Sequence, residues 1–147
     1  MSVPELTPTE MAALHRRCFV APRPWTAKAF ASLLTQPGCV LCAHKQGFLL
    51  GRIAGLEAEI LTLAVDPGSR RLGHGRALLD KFERSARARG ATEAFLEVAT
   101  DNAPAIALYQ RAGYRETAVR RAYYHGPDGT WQDACVMKRE FCAPPLA

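Results

Sequence analysis

Residues 65–79 read VDPGSRRLGHGRALL. The run Leu63-Ala64-Val65 ahead of them has the character of a strand end. Pro67-Gly68 turns the chain, and Leu78-Leu79 open a helical apolar pattern after Arg70, Arg71, Leu72, Gly73, His74, Gly75 and Arg76. The first N–H groups of a helix are unpaired and carry partial positive charge, so acidic side chains are normally favoured there. Here three arginines crowd the entry and no carboxylate appears between Asp66 and Asp80. Gly73 and Gly75 remove side chains where backbone amides point outward. Such an entry is electrostatically incomplete without an outside anion. A pyrophosphate fits, its oxygens on backbone N–H groups between guanidiniums; the competing reading is a glycine turn with solvated arginines. Two other phosphate loops are excluded, because there is no Gly-Lys-Ser/Thr and the dinucleotide fingerprint lacks its third glycine.

Outward from this stretch, local signals divide the chain into short elements. Thr7-Pro8-Thr9-Glu10 is a capping box with proline at the first helical position, so a helix is expected through MAALHRRCF. Thr26 can cap a second helix carrying Phe30, Leu33 and Leu34 on one side. Two apolar runs around Lys45-Gln46-Gly47 read as a hairpin, and Glu57 to Val65 as a further strand. After the glycine loop, Leu78, Leu79, Phe82 and Ala86 lie at helical spacing up to Gly90, a left-handed cap. Thr92 to Thr100 alternates as a strand. Asn102 caps a short helix that Gly113 ends, and Tyr114–Tyr124 with Trp131–Glu140 form a closing hairpin around Pro127-Asp128-Gly129. The order predicts one mixed α/β domain over residues 1–147, built on a central sheet.

The 147 residues, 48% of them hydrophobic, suffice for one sizeable core. No apolar run approaches the ~20 residues of a membrane span, and the first residues lack a signal-peptide pattern. A cytoplasmic location with no membrane partner is expected. Five cysteines are an odd number without scaffold spacing, which suits a reducing compartment. Cys39 and Cys42 form an isolated C-x-x-C whose thiols would point to opposite faces of a strand, so buried packing is the default over zinc or redox chemistry. Nineteen basic and fourteen acidic residues give a net charge of +5. The arginines gather at the glycine loop and along ERSARARG without interleaved aromatics, which favours an anionic cofactor over direct nucleic-acid binding.

Two residues stand out chemically. Glu97 sits inside the apolar strand AFLEVAT, where a carboxylate is costly unless it is paired or opens onto a cavity. It reads either as half of a salt bridge or as a general base toward an amine. Tyr109, on the helix capped by Asn102, reads as a core aromatic or as a proton donor. Glu57 and Glu59 read as exposed edge charges or as carboxylates that attract a basic substrate.

Arg70, Gly73 and Gly75 in Arg-x-x-Gly-x-Gly resemble the pyrophosphate loop of the GNAT acetyltransferases. Asn102 to Tyr109 followed by Ala112-Gly113-Tyr114 resembles that family's asparagine, tyrosine and Gly-aromatic pattern. Within it, AEILTLAVDP, LEVATDNAPAIALYQRAGY and RRAYYHGPDGTWQDACVMKRE are similar to the RimI group of ribosomal-protein-alanine N-acetyltransferases, over a span from Pro24-Trp25 to Met137. The resemblance implies the GNAT fold, a mixed central sheet flanked by helices, with acetyl-CoA as co-substrate and no metal. It places cofactor contacts on Leu63, Ala64, Val65, Arg70, Arg71, Leu72, Gly73, His74, Gly75, Arg76, Asn102 and Tyr109. His74 fills a loop position that is usually aliphatic. Glu97 falls on the family's base and Tyr109 on its acid. The implied acceptor is the N-terminal alanine of the eighteenth small-subunit ribosomal protein, which continues as a basic tail that Glu57, Glu59, Glu97 and Asp101 would attract. A GNAT enzyme for a small amine or a lysine remains the alternative. A non-catalytic acyl-CoA-binding or ribosome-associated module is disfavoured by having both Glu97 and Tyr109.

Overall fold

The computed structural model describes residues 6–18, 25–44, 46–69, 73–125 and 129–141, with the backbone alone for 123–125. Helices α1 (Pro8–Cys18) and α2 (Ala27–Leu34) precede strands β1 (Cys39–His44), β2 (Gly47–Ala54) and β3 (Glu57–Val65). A single 3-10 turn, Pro67–Ser69, leads toward α3 (His74–Ala88). Then follow β4 (Glu93–Ala99), α4 (Ala103–Arg111), β5 (Arg115–His125) and β6 (Trp131–Glu140).

The predicted caps form as hydrogen bonds. The Glu10 N–H donates to Thr7 Oγ1 at 3.2 Å while the Thr7 N–H donates to Glu10 Oε1 at 3.1 Å, the reciprocal pair of a capping box. Thr26 Oγ1 accepts from the Ala29 N–H at 3.1 Å, and Asn102 Oδ1 from the Ala105 N–H at 3.3 Å. Gly90 and Gly113, at φ +94° and +98°, terminate α3 and α4 in the left-handed region that glycine tolerates.

The six strands are ordered β1-β2-β3-β4-β6-β5, and β3 with β4 is the parallel pair; the remaining neighbours are antiparallel. α3 and α4 cover one face, where Leu78, Leu79, Phe82 and Ala86 pack on Leu49, Ala58, Ile60, Leu96 and Met137. α1 and α2 cover the other, with Met11, Leu14 and Phe30 on Phe48, Leu50 and Ala64. Cys42 belongs to the first cluster and Cys39 packs on the second, so the two thiols do face opposite ways. Behind α3, buried Glu83 accepts from Arg139 at 2.7 Å and from the Tyr114 hydroxyl at 3.0 Å, tying the helix to β6. A buried carboxylate needs that full set of partners.

Two bulges alter the simple alternation of side chains. Leu50 pairs with Thr62 but Gly51 with Ile60, so Leu61 is an extra residue in β3. Ile60 therefore faces α3 while Thr62 turns to the α1 side. In β5, Arg120 pairs with Ala134 and Tyr124 with Gln132, leaving two surplus residues. That bulge is pinned where the N–H of Ala122, at φ +52°, donates to Asp133 Oδ1 at 2.8 Å.

Candidate active site

β3 and β4 pair from Glu57↔Glu93 to Ile60↔Leu96 and then part. Beyond that point β3 keeps β2 and β4 keeps β6 as partners. A cleft of about 520 Å³ opens in the gap. Backbone groups on a strand edge that has lost its neighbour need another partner, and a bound ligand supplies one. Leu63, Ala64 and Val65, on which the resemblance places cofactor contacts, lie on this parted stretch; Leu63 lines the cleft, Ala64 packs under α1, and Val65 borders the end of the gap nearest α3.

The cleft has two sides. Toward α3 and α4 stand Leu63, Asn102, Ala105 and Tyr109. The cap bond of Asn102 occupies its side-chain oxygen and leaves the amide nitrogen as a donor. Tyr109 is 6% exposed, with its ring edge-on to Tyr114 at 5.8 Å. It is thus both a packed aromatic and a lining group of the cleft. The Tyr114 hydroxyl behind it is pushed far up by burial and by the adjacent Glu83 charge, which keeps that phenol protonated.

Toward α1 and α2 the lining is charged. Glu59 alternates with Ala58 and Ile60, and Glu97 with Leu96 and Val98, so both carboxylates point away from the α3 core into this side of the cleft. Arg120 Nε lies 3.0 Å from Glu97 Oε1, and Arg52 lies 3.6 Å from Glu59. Glu97 therefore meets both expectations: it is ion-paired and it opens onto a cavity. Burial pushes the Glu59 carboxyl up, Arg52 opposes this, and the Glu97 charge adds to it. Asp101, beyond the end of β4, accepts from Gln132 Nε2 at 2.8 Å. Glu57 lies at the amino end of β3, exposed and outside the cleft lining, so the structure brings Glu59 but not Glu57 to Glu97.

The same side contains a group that the sequence reading missed. His15 of α1 is 1% exposed, stacks on Trp25 at 5.2 Å and bonds Thr62 Oγ1 through Nε2 at 3.1 Å. Burial lowers its pKa to about 4, so the ring is neutral at pH 7. Its partners are 10 and 47 residues away in the chain, which a single histidine in an amphipathic helix does not announce. Arg120 was equally hidden, since its approach to Glu97 depends on β5, β6 and β4 lying side by side.

At the entry to α3, Gly73 has φ +82° and no side chain caps the helix. A Cβ on Gly75 would sit 3.1 Å from Leu108 Cδ2, so this glycine lets α4 approach α3 closely. His74 rests against His44 with ring centroids 4.5 Å apart. Arg76 turns along the helix to Asp80 at 3.1 Å and to the Arg111 carbonyl at 3.4 Å. Arg70, Arg71 and Leu72 lie outside the described residues. Among the described residues no cluster of ligating side chains could hold a metal ion. Burial also pushes the Cys39 and Cys42 thiols up, away from thiolate chemistry.

A strand pair parting over a cleft, with an uncapped helix entry beside one of the strands, is the layout of an acyl-CoA N-acyltransferase. The sequence model of the Acetyltransferase (GNAT) family matches residues 8–114, and the chain belongs to that family. It is an acetyl-CoA-dependent N-acetyltransferase. It is 38% identical over 123 residues to the [Ribosomal protein bS18]-alanine N-acetyltransferase of Escherichia coli K12, covering 78% of this chain and 79% of that one. It is 36% identical over 138 residues to the N-alpha-acetyltransferase RimI of Mycobacterium tuberculosis, covering 88% and 84%. The crystal structure of the ribosomal-protein-S18-alanine N-acetyltransferase from Escherichia coli superposes with a TM-score of 0.81 at 30% identity, over 99% of this chain and 97% of that one.

Proposed function

We propose that this enzyme acetylates the α-amine of a protein N-terminus, with the N-terminal alanine of a basic ribosomal protein of the bS18 type as its acceptor. The observation that carries this reading is the pairing of Glu59 with Glu97 on one side of the parted strands, opposite Tyr109 and Asn102 on the other. One side suits a cationic peptide end and the other a thioester arm. The similarity to RimI enzymes supports the same acceptor.

The chemistry demands little. A thioester is already activated, so the protein must place a neutral amine, stabilise the developing oxyanion and assist the departing thiolate. In this reading Glu97 takes the amine proton, and Arg120 fixes the orientation of that carboxylate. An ion pair with a half-exposed arginine contributes only about 0–1 kcal/mol, so an incoming amine competes with it. The β3 edge from Leu63 to Val65 offers N–H groups to the oxyanion, and Tyr109 protonates the leaving sulfur. Gly73, His74, Gly75 and Arg76, together with Arg70, Arg71 and Leu72, hold the cofactor phosphates, and the Asn102 amide holds its arm. An α-amine with a pKa near ~8 is partly neutral at pH 7, whereas a lysine near ~10.4 needs far more help.

The test is mass spectrometry of products from three acceptors: a free alanine peptide with a basic tail, the same peptide N-terminally blocked but carrying lysines, and a polyamine. Acetylation of the α-amine in the first, with the other two nearly inert, is the expected result. Preference for the blocked peptide or the polyamine overturns the reading in favour of a lysine or small-amine enzyme.

A further inference from the structure

We infer that Thr62 is a specificity-determining residue whose hydroxyl donates a hydrogen bond to the first carbonyl of the acceptor, so that the cleft recognises an α-amino acyl group rather than an amine alone. The inference rests on the N-terminal reading above and deepens it.

The argument begins with the proton inventory of His15. The Trp25 N–H donates to His15 Nδ1 at 3.1 Å, so Nδ1 carries a lone pair. In a neutral ring the hydrogen must then be on Nε2, and the 3.1 Å contact to Thr62 Oγ1 is a donation from His15 to the threonine. The hydroxyl thereby receives a bond and still has its own hydrogen to give. Among the described residues no acceptor takes that hydrogen, although Thr62 is 8% exposed. A hydroxyl so poised needs a partner in the cleft that it lines.

The β3 bulge decides where that partner lies. By plain alternation Thr62 would share the face of Ile60 and be buried against α3. The extra residue Leu61 turns it to the α1 side, the side of Glu59 and Glu97 and not of Tyr109. Ionised carboxylates only accept hydrogen bonds, so Thr62 adds a donor to a side that the two glutamates furnish with acceptors. A hydroxyl donor beside two carboxylates, each of which already holds its own arginine, matches a carbonyl and an amine joined through a single carbon, which is the end of a peptide. A lysine side chain or a polyamine has no carbonyl at that spacing. Sites built to hydrogen-bond a substrate group reject analogues that lack it, because the buried protein group is left unpaired.

The test compares the wild type, Thr62→Val and Thr62→Ser on two acceptors: an alanine peptide, and its isostere with the first peptide bond replaced by a trans alkene. Calorimetry of acetyl-CoA binding accompanies the kinetics and reports folding. Thr62→Val should raise the KM for the alanine peptide about tenfold while kcat and acetyl-CoA affinity stay within about threefold. Thr62→Ser should restore most of the loss. On the alkene peptide the wild type and Thr62→Val should have the same KM. An unchanged KM for Thr62→Val on the alanine peptide, or an equal penalty on both acceptors, overturns the inference. Loss of acetyl-CoA affinity in a folded Thr62→Val chain also overturns it, placing the hydroxyl on the cofactor. A wild type inert toward the alanine peptide but active on a polyamine overturns the N-terminal reading and this inference with it, whereas a wild type active on the peptide isolates the threonine.

Discussion

The two sides of the parted β3–β4 pair are built by different means. The side facing α3 and α4 depends on backbone: glycines at a helix entry, a strand edge without its neighbour, and Asn102 capping a helix. The side facing α1 and α2 depends on side chains, with Glu59, Glu97, Arg52, Arg120 and His15 converging from five different elements. The difference teaches that the side proposed for the cofactor is specified by local motifs. The side proposed for the acceptor is made of residues that only the tertiary fold assembles.

The sharpest way to break this comparison is to damage the backbone side alone. Gly75→Asp puts a Cβ 3.1 Å from Leu108 Cδ2 and a negative charge at an entry suited to phosphates. The rise in melting temperature given by acetyl-CoA should vanish, by differential scanning fluorimetry, while the unliganded chain still melts cooperatively. A shift as large as wild type contradicts the assignment of this loop to the pyrophosphate.

Next in size are the two groups proposed to transfer protons, one on each side. Glu97→Gln and Tyr109→Phe should each lower kcat by roughly a hundredfold, with acetyl-CoA affinity within a few-fold by calorimetry. Raising the pH should partly rescue Glu97→Gln, since more of the amine then arrives neutral. If either variant loses cofactor binding, its residue is structural.

His15 yields a stability prediction. Its ring is neutral in the fold, with a pKa lowered to about 4 from 6.5, so the unfolded chain binds the proton more readily. The associated stability is complete above pH 6.5 and is lost as the pH falls toward 4, by up to about 3 kcal/mol. Urea unfolding at pH 7, 5.5 and 4.5 should show this loss, and His15→Phe should flatten the slope. An unchanged slope in that variant means that other groups control the acid limb.

The smallest effect separates the neighbouring glutamates. Glu59→Gln should raise the KM for a basic alanine peptide by roughly threefold and blunt its salt dependence, because that carboxylate lines the cleft. Glu57→Gln, at the exposed amino end of β3, should change neither. Equal effects from the two would mean that net charge, not placement, attracts the acceptor.

How far each side was legible follows from the range of its signals. The capping box at Thr7, the Asn102 cap and the glycine stops are written within four residues of the structure they specify, and they form as read. The hairpin β1–β2, the strand Glu57–Val65 and the helix following the glycine loop were legible for the same reason. The bulge at Leu61 was not, because one extra residue leaves the apolar run unbroken while reversing which side chains share a face. The insertion of β6 between β4 and β5, which brings Arg120 within reach of Glu97, has no local signature either. The side proposed for the acceptor is thus visible only once strand order and register are known.

The most direct test of a two-sided cleft is the affinity of a single molecule that occupies both sides, coenzyme A joined through an acetyl bridge to the α-amine of an alanine peptide. By calorimetry it should bind at least a hundredfold more tightly than acetyl-CoA, and more tightly than the same conjugate made through a lysine side chain. Glu59→Gln should weaken this conjugate without affecting acetyl-CoA. A conjugate that binds no better than acetyl-CoA, or a lysine-linked form that binds better, would contradict the account.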